Sequence, residues 1–159
     1  MDKINIIKQL LKEVGMPVKQ QSDLCSLTIL AMAGLHENDK FTKASNEWMR
    51  IHDIISYIEK KYNVKYAENS RETIRKQGIH HFRNAALIED NGKPTNSPNT
   101  KYRLTEEFLP VLRSYEEAYK NNINSKKLEQ FLKKHTKLIE LYASKKKMKK
   151  MPVRINDKD

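Results

Sequence analysis

The stretch SDLCSLTILAMAGL, Ser22 to Leu35, is apolar on nearly every side. A helix of that kind has no face to give to water, so it must lie at the centre of a fold and be covered from several directions. Ser22 stands where a helix N-cap belongs. The flanking segments read as its covers. Ile4, Ile7, Leu10, Leu11 and Val14 recur at helical spacing ahead of Gly15 and predict a helix with one buried face. The run HENDKFTKASNEW reads as a polar loop. A third helix is predicted over roughly Glu47 to Tyr62, with Met49, Ile51, Ile54, Ile55 and Ile58 turned inward.

The following turn, NVKYAEN, is too short to hold another element. Asn69 then stands as an N-cap, and Glu72 three residues later completes a capping box. In the helix that follows, Ile74, Gly78, Phe82 and Ala85 share one face, while Thr73, Lys76, Gln77, His80 and Asn84 share the other. Gly78 weakens a helix, so it is expected where another helix crosses closely. LIED and KYRLT read as paired short strands, and NGKPTNSPN between them is composed of turn formers. A further helix is predicted from Thr105 and Glu106, with Phe108, Leu109, Leu112 and Tyr115 inward and Pro110 in its first turn. After NNINS, a long helix runs from Ser125 to about Lys150. Its expected buried stripe draws on Leu128, Phe131, Leu132, Thr136, Leu138, Ile139, Leu141 and Tyr142. Its last residues, KKKMKK, suit the C-terminal dipole and could also meet phosphate.

Helix, short turn, polar-faced helix and two-stranded hairpin together spell a winged helix-turn-helix. The predicted fold class is mostly α, a winged helix-turn-helix with additional N- and C-terminal helices and one β-hairpin wing. Residues 1–120 are expected to form the DNA-binding domain, and 121–159 a basic helix and linker.

The chain of 159 residues has a formal charge of +11. The excess is uneven. Residues 1–62 carry nine basic and eight acidic side chains, residues 63–104 eight and four, and residues 105–159 fourteen and eight. An acidic partner is therefore expected toward the middle and end, with double-stranded DNA the natural one. A helix fits the major groove and offers side chains to base edges, while a wing reaches the adjacent backbone. The candidate recognition residues are Asn69, Ser70, Arg71, Thr73, Arg75, Lys76, Gln77, His80 and Arg83, with Arg75 and Arg83 nearer phosphates. The candidate wing contacts are Lys93, Asn96, Ser97, Lys101 and Arg103. The competing interpretation of residues 70–86 is an ordinary solvated helix.

The segments RIHDIISYIEKKYNVKYAENSRETIRKQGIHHFRNAALI and NSPNTKYRL resemble the N-terminal region of the BsuBI/PstI type II restriction endonucleases. That family follows a Tyr-ending helix with Y-A-x-N-[ST]-R-E-T-I-R-[RK]-Q and a wing containing N-S-P, matched here at Tyr66–Gln77 and Asn96–Pro98. The resemblance implies a winged-helix DNA-recognition half joined to a C-terminal nuclease domain of the PD-(D/E)xK type that uses Mg²⁺ and cuts a short palindrome. The tail KKMPVRI resembles the start of that second domain, so the chain is expected to be the amino-terminal half of such an enzyme.

No nuclease chemistry is expected in this half, and no cofactor. Glu59-Lys60-Lys61 spells E-x-K with Asp53 nearby, but on one continuous helix these residues make surface pairs rather than a metal cage. The histidines, among them His80, His81 and His135, show no zinc spacing. Cys25 reads as a small buried hydrophobe, and the single cysteine suits a reducing, cytoplasmic compartment. No apolar run reaches membrane-span length. Trp48 reads as an anchor at the edge of the core. Two other classes remain open: a stand-alone winged-helix regulator without nuclease activity, and a module that mainly makes a homodimer.

Overall fold

The computed structural model describes residues 2–67, 69–93 and 98–150. Asn96 and Ser97 of the wing, and the tail MPVRINDKD, lie outside them. Among the described residues no helix is long and apolar enough to cross a membrane.

At the centre lies α2, Asp23–Met32, in which every residue from Cys25 to Met32 is buried. Ser22 caps it as expected, its hydroxyl accepting from the Cys25 amide at 3.2 Å. Two buried hydroxyls face no water, so each donates to the carbonyl one turn back: Ser26 to Ser22 at 2.9 Å and Thr28 to Leu24 at 2.7 Å. Around α2 pack α1 (Asp2–Glu13), α3 (Ile51–Tyr62), the helix after residue 69 and the second strand of the wing. From α1 come Ile6, Ile7, Leu10 and Leu11, and from α3 come Ile54 and Ile58, all 1% exposed or less.

The third helix begins later than its apolar pattern suggests. Met49 lies outside it and pairs in antiparallel fashion with Tyr102, so the chain before α3 adds a third, one-residue strand to the hairpin. Trp48 is therefore outside the helix and 38% exposed. The capping box sits here too: the Arg50 amide donates to the Asp53 carboxylate at 3.0 Å, and the Arg50 side chain returns to the same carboxylate. The Arg50 contacts hold the Asp53 carboxyl below its usual range. The expected box at Asn69 is absent. Asn69 caps with no side-chain bond, because Glu72 turns instead to Arg75 and Lys76.

The polar loop before α3 is firmly anchored. Phe41, in a 3₁₀ turn Phe41–Lys43, is fully buried, and its amide donates to Glu116 at 3.0 Å. Glu116 lies on α6 (Leu109–Lys120) and also meets Lys3 and Lys120 at 3.6 and 3.3 Å. Burial alone would raise the Glu116 carboxyl, but the Phe41 amide and the two lysines outweigh it and keep it low. The α6 helix starts at Leu109 rather than Thr105, whose hydroxyl accepts from the Phe108 amide and closes the turn ahead of it.

The helix after residue 69 is one rod in three parts: α4 (Ser70–Ile74), a π-turn (Arg75–Ile79) and α5 (His80–Asn84). The extra residue in the wide turn changes which side chains point inward. Ile74, Gly78 and Phe82 are buried as expected, and Ile79 and Arg83 join them. The turn is held from α2 and from the 3₁₀ turn Val18–Gln21 before it. Buried Gln20 donates to the Gln77 carbonyl at 3.0 Å, and the Cys25 thiol points at the same oxygen at 3.5 Å. Burial pushes the Cys25 thiol up, which leaves it a protonated weak donor.

Strands β1 (Ile88–Asp90) and β2 (Tyr102–Leu104) form the antiparallel wing in register Ile88–Leu104, Glu89–Arg103 and Asp90–Tyr102. Ala86, at φ 60°, makes the left-handed turn into β1. The last helix, α7 (Lys126–Lys150), folds back over this domain. Leu128, Phe131, Leu138 and Tyr142 are buried. Ile139 is half-buried, whereas Leu132, Thr136 and Leu141 face solvent, so the buried stripe is narrower than the sequence suggested. Phe131 tilts against Phe108, His135 Nε2 lies 2.7 Å from the Ala85 carbonyl, and the Tyr142 hydroxyl donates to Glu107 at 2.6 Å.

Three stability outcomes follow from this packing. A Cβ on Gly78 would meet the Phe82 ring at 3.6 Å and Cys25 Sγ at 3.7 Å, ordinary contact distances. Gly78→Ala is therefore expected to be neutral or to stabilise by up to about 1 kcal/mol through helix propensity, read by urea denaturation. Arg83 and Asp90 form an ion pair at 3.1 Å with side chains 7% and 3% exposed. Asp90→Ala strands the Arg83 charge and is expected to cost about 3 kcal/mol or more. Arg103→Ala, at a half-exposed pair with Glu89, is expected to cost less than about 1 kcal/mol in the same assay.

Candidate nucleic-acid interface

The predicted recognition residues fall into two groups. On the rod from Ser70 to Asn84, the side chains of Arg71, Lys76, Gln77 and His80 are exposed, as is Asn69 at its start. Ser70 and Thr73 are half-buried. This side of the helix offers donors and acceptors in the mix that base edges and phosphates accept. The π-turn lies in the middle of it, and such turns recur at functional sites. Its Gln77 projects to solvent while its carbonyl is held from behind.

Arg83 departs from expectation. It is 8% exposed and points into the protein, where Nη1 donates to Asp90 and Nη2 lies 3.2 Å from His80 Nδ1. Phe82 and Arg83 turn inward together because the π-turn advances the register by one residue. Arg83 therefore joins the helix to β1 and sets the angle between recognition helix and wing. His80 is positioned from both sides, by Arg83 and by the Asn84 amide at 3.3 Å. His81 sits behind it, edge-on at 5.9 Å.

Two residues that the sequence pattern did not single out, His52 and Tyr102, belong to the same surface, as does Glu72, which it assigned to a capping box. His52, on the first turn of α3, has Nδ1 3.0 Å from Arg71 Nη2 and so places that guanidinium. Glu72 occupies Arg75 and, at 3.6 Å, Lys76. The Arg75 contact, then the charge of Lys76, keeps the Glu72 carboxyl below its usual range, so it stays ionised. Tyr102 closes a cleft of about 370 Å³ between helix and wing, whose other walls include Arg75, Lys76, His80 and Arg83. Burial pushes the Tyr102 phenol up, so its hydroxyl stays protonated. No pattern in the sequence separates His52 and Tyr102 from ordinary helix and strand residues, since their roles come from tertiary neighbours, whereas the spacing of Glu72 pointed to Asn69 rather than to Arg75 and Lys76.

At the wing, Lys93 and Lys101 are exposed. Asn91 ties the two ends of the loop together: its amide donates to the Asn99 carbonyl at 2.9 Å and its oxygen accepts from the Lys101 amide at 3.2 Å. Arg103 projects from the outer face of the sheet, where Nε donates to Glu89 at 3.0 Å and the guanidinium lies 4.5 Å over the exposed Trp48 ring. Trp48 thus serves as a platform for Arg103. Among the described residues no group of three or more His, Cys, Asp or Glu side chains converges in a way that could hold a metal ion. Glu59, of the E-x-K triplet, is an exposed residue of α3.

Comparison with known proteins places this arrangement. The chain is 28% identical over 151 residues to the type II restriction enzyme BsuBI of Bacillus subtilis, which covers 92% of the chain and 46% of that protein. It is 25% identical over 152 residues to the type II restriction enzyme AplI of Arthrospira platensis, covering 93% of the chain and 45% of that protein. The chain thus spans less than half the length of these relatives. Its fold matches the structure of SdaI restriction endonuclease with a TM-score of 0.74 at 24% identity, over 89% of this chain and 44% of that one. The model of the BsuBI/PstI restriction endonuclease HTH domain matches residues 1–144, a span that runs from α1 through the wing and most of α7. The chain therefore belongs to the BsuBI/PstI restriction endonuclease family and carries its helix-turn-helix domain.

Proposed function

We propose that this domain recognises a specific sequence in double-stranded DNA on behalf of a type II restriction endonuclease. The observation that carries the reading is the exposed row of Arg71, Lys76, Gln77 and His80 on a helix flanked by a wing with exposed Lys93 and Lys101. The helix enters the major groove with Gln77 and His80 toward base edges. Arg71, Arg75 and Lys76 serve the near backbone, and Lys93 and Lys101 the far one. Asn69, Ser70 and Thr73 lie at the entering end, and Asn96 and Ser97 keep the phosphate-contact role that the sequence suggests. Membership in a restriction endonuclease family supports this reading, as does the positive balance of residues 63–104.

In a protein of the relatives' length, a Mg²⁺-dependent nuclease domain would follow α7, with residues 121–159 as the basic helix and linker toward it. We assign the cleavage chemistry to that further domain. A palindromic site is read by a two-fold pair of subunits, and the main dimer contact would lie in the nuclease half. The buried stripe of α7 is used within its own domain, which supports this placement.

The decisive experiment is retention of a randomised duplex library by this chain, followed by sequencing of what is held. One enriched motif is the expected result, and uniform retention would remove sequence-specific reading. With about five cations at phosphates, binding is expected to fall with salt at a log–log slope of roughly −4 to −5. Gln77→Ala is expected to relax preference at one position of the enriched motif at a cost of ~1–3 kcal/mol. An equal loss on every sequence would instead place Gln77 on the backbone.

A further inference from the structure

The cleft between recognition helix and wing has two buried donors at its walls that no protein group satisfies. The guanidinium of Arg83 gives Nη1 to Asp90 and Nη2 to His80, but its Nε–H has no acceptor. Tyr102 is 1% exposed, and its hydroxyl has no partner. Both residues line the same cleft of about 370 Å³, together with Glu72, Arg75, Lys76, Ile79 and His80. The third such atom among the described residues, the Tyr57 hydroxyl, belongs to α3 and does not line it. A buried donor left unsatisfied is costly, and two on residues that line one cleft call for an acceptor there.

The chemistry of that acceptor follows from the walls. Arg83 Nε–H can only donate, and the Tyr102 phenol keeps a proton to give, so an occupant that presents oxygens satisfies both. Arg75, Lys76 and Arg83 bring three cations to this lining, and Glu72 is the one carboxylate among the lining residues. An anionic group with several acceptor oxygens suits such walls. The Glu72 carboxylate already supplies oxygens to Arg75 and Lys76 at the rim, in the way that such a group would. A base edge fits less well, because base edges lie along the groove floor, whereas the backbone is what passes between a groove-bound helix and its wing.

We propose that this cleft is the seat of a single phosphate group, taken from the DNA backbone, with Tyr102 Oη and Arg83 Nε–H donating to its oxygens and Arg75 and Lys76 transferring to it from Glu72. The source of the phosphate rests on the DNA-reading role proposed above, but the seat itself does not. Glu72 then acts as a competitor that the DNA must displace. Weak electrostatic encounters leave the cleft as it is, and only a duplex whose backbone reaches the two inner donors exchanges the pairs. The seat also fixes the register of the helix along the groove, because a phosphate held from two elements at once has little freedom to slide.

The test uses Tyr102→Phe in the full chain. That change removes one hydroxyl with no protein partner, so the fold is expected to keep its stability or gain slightly. Duplexes from the enriched library are prepared with single, uncharged methylphosphonates stepped along each strand. Wild type is expected to show one position per bound domain where the methylphosphonate weakens binding about tenfold. Tyr102→Phe is expected to weaken the intact duplex by a similar factor and to lose its sensitivity at that position alone. Equal affinity of variant and wild type, with an unchanged methylphosphonate profile, overturns the seat while leaving DNA reading intact. A second arm follows the Arg83 Nε–H resonance by NMR during titration with inorganic phosphate and with duplex. A shift with either, lost in Tyr102→Phe, supports the seat. A shift with phosphate from a chain that retains no duplex supports a free-anion seat and removes the DNA-reading role. A resonance moved by neither ligand overturns the proposal and leaves a trapped water as the partner of both donors.

Discussion

A helix with no wettable face sets the terms for the whole domain. Each of Leu27, Ile29, Leu30 and Met32 on α2 is 2% exposed or less, and burying such a side chain contributes roughly 1.5–3 kcal/mol. That gain is available only if other elements close around α2 on all sides. The first helix, α3, the helix after residue 69 and β2 do so, and their relative positions are consequences of sharing one central partner. The helix after residue 69 has its wide turn held by Gln20 and Cys25 at the Gln77 carbonyl. The surface offered outward is thus fixed from the inside.

The second constraint is electrostatic. Arg83 and Asp90 are nearly dry, and a dry ion pair tolerates little change in geometry because either charge alone would be costly. The pair joins α5 to β1, and the Gly92 amide donates to Asp90 at 2.8 Å where the wing loop begins. Helix, strand and loop base are thereby held as one unit. The outer face of the wing is tied more loosely, through Arg103 between Glu89 and Trp48, where solvent screens the charges. The inner seam of helix and wing is rigid by comparison with its outer rim.

Elements that depend on local pattern were legible in the sequence: α1, the buried α2, the two paired strands and the exposure of Lys76, Gln77, His80 and Asn84. What escaped depended on contacts between distant residues or on a departure from the 3.6-residue period. A strand of one residue, Met49, has no alternation to detect, so it was absorbed into the helix after it. The Asn-to-Glu spacing at Asn69 fits a capping box, but Arg75 and Lys76 compete for Glu72 and win. Arg83 reads as a surface cation because nothing local announces Asp90 seven residues on. The solvent-facing Leu132 and Leu141 were counted with the buried stripe because a 25-residue helix is covered over only part of its girth.

The wide turn at Arg75–Ile79 also changes how positions along this helix are to be counted. An ordinary α-helical wheel laid down from Ser70 is out of phase by about 100° beyond Ile79, since one residue more is spent per turn there. A homologous helix one residue shorter in this interval would present matching faces on both sides of it once a one-residue gap is placed there. Comparing such helices position by position therefore requires two separate numberings, one anchored at Ser70 and one at His80. A one-residue deletion inside the interval would return a regular α-helix and leave the outward faces of its two ends where they are.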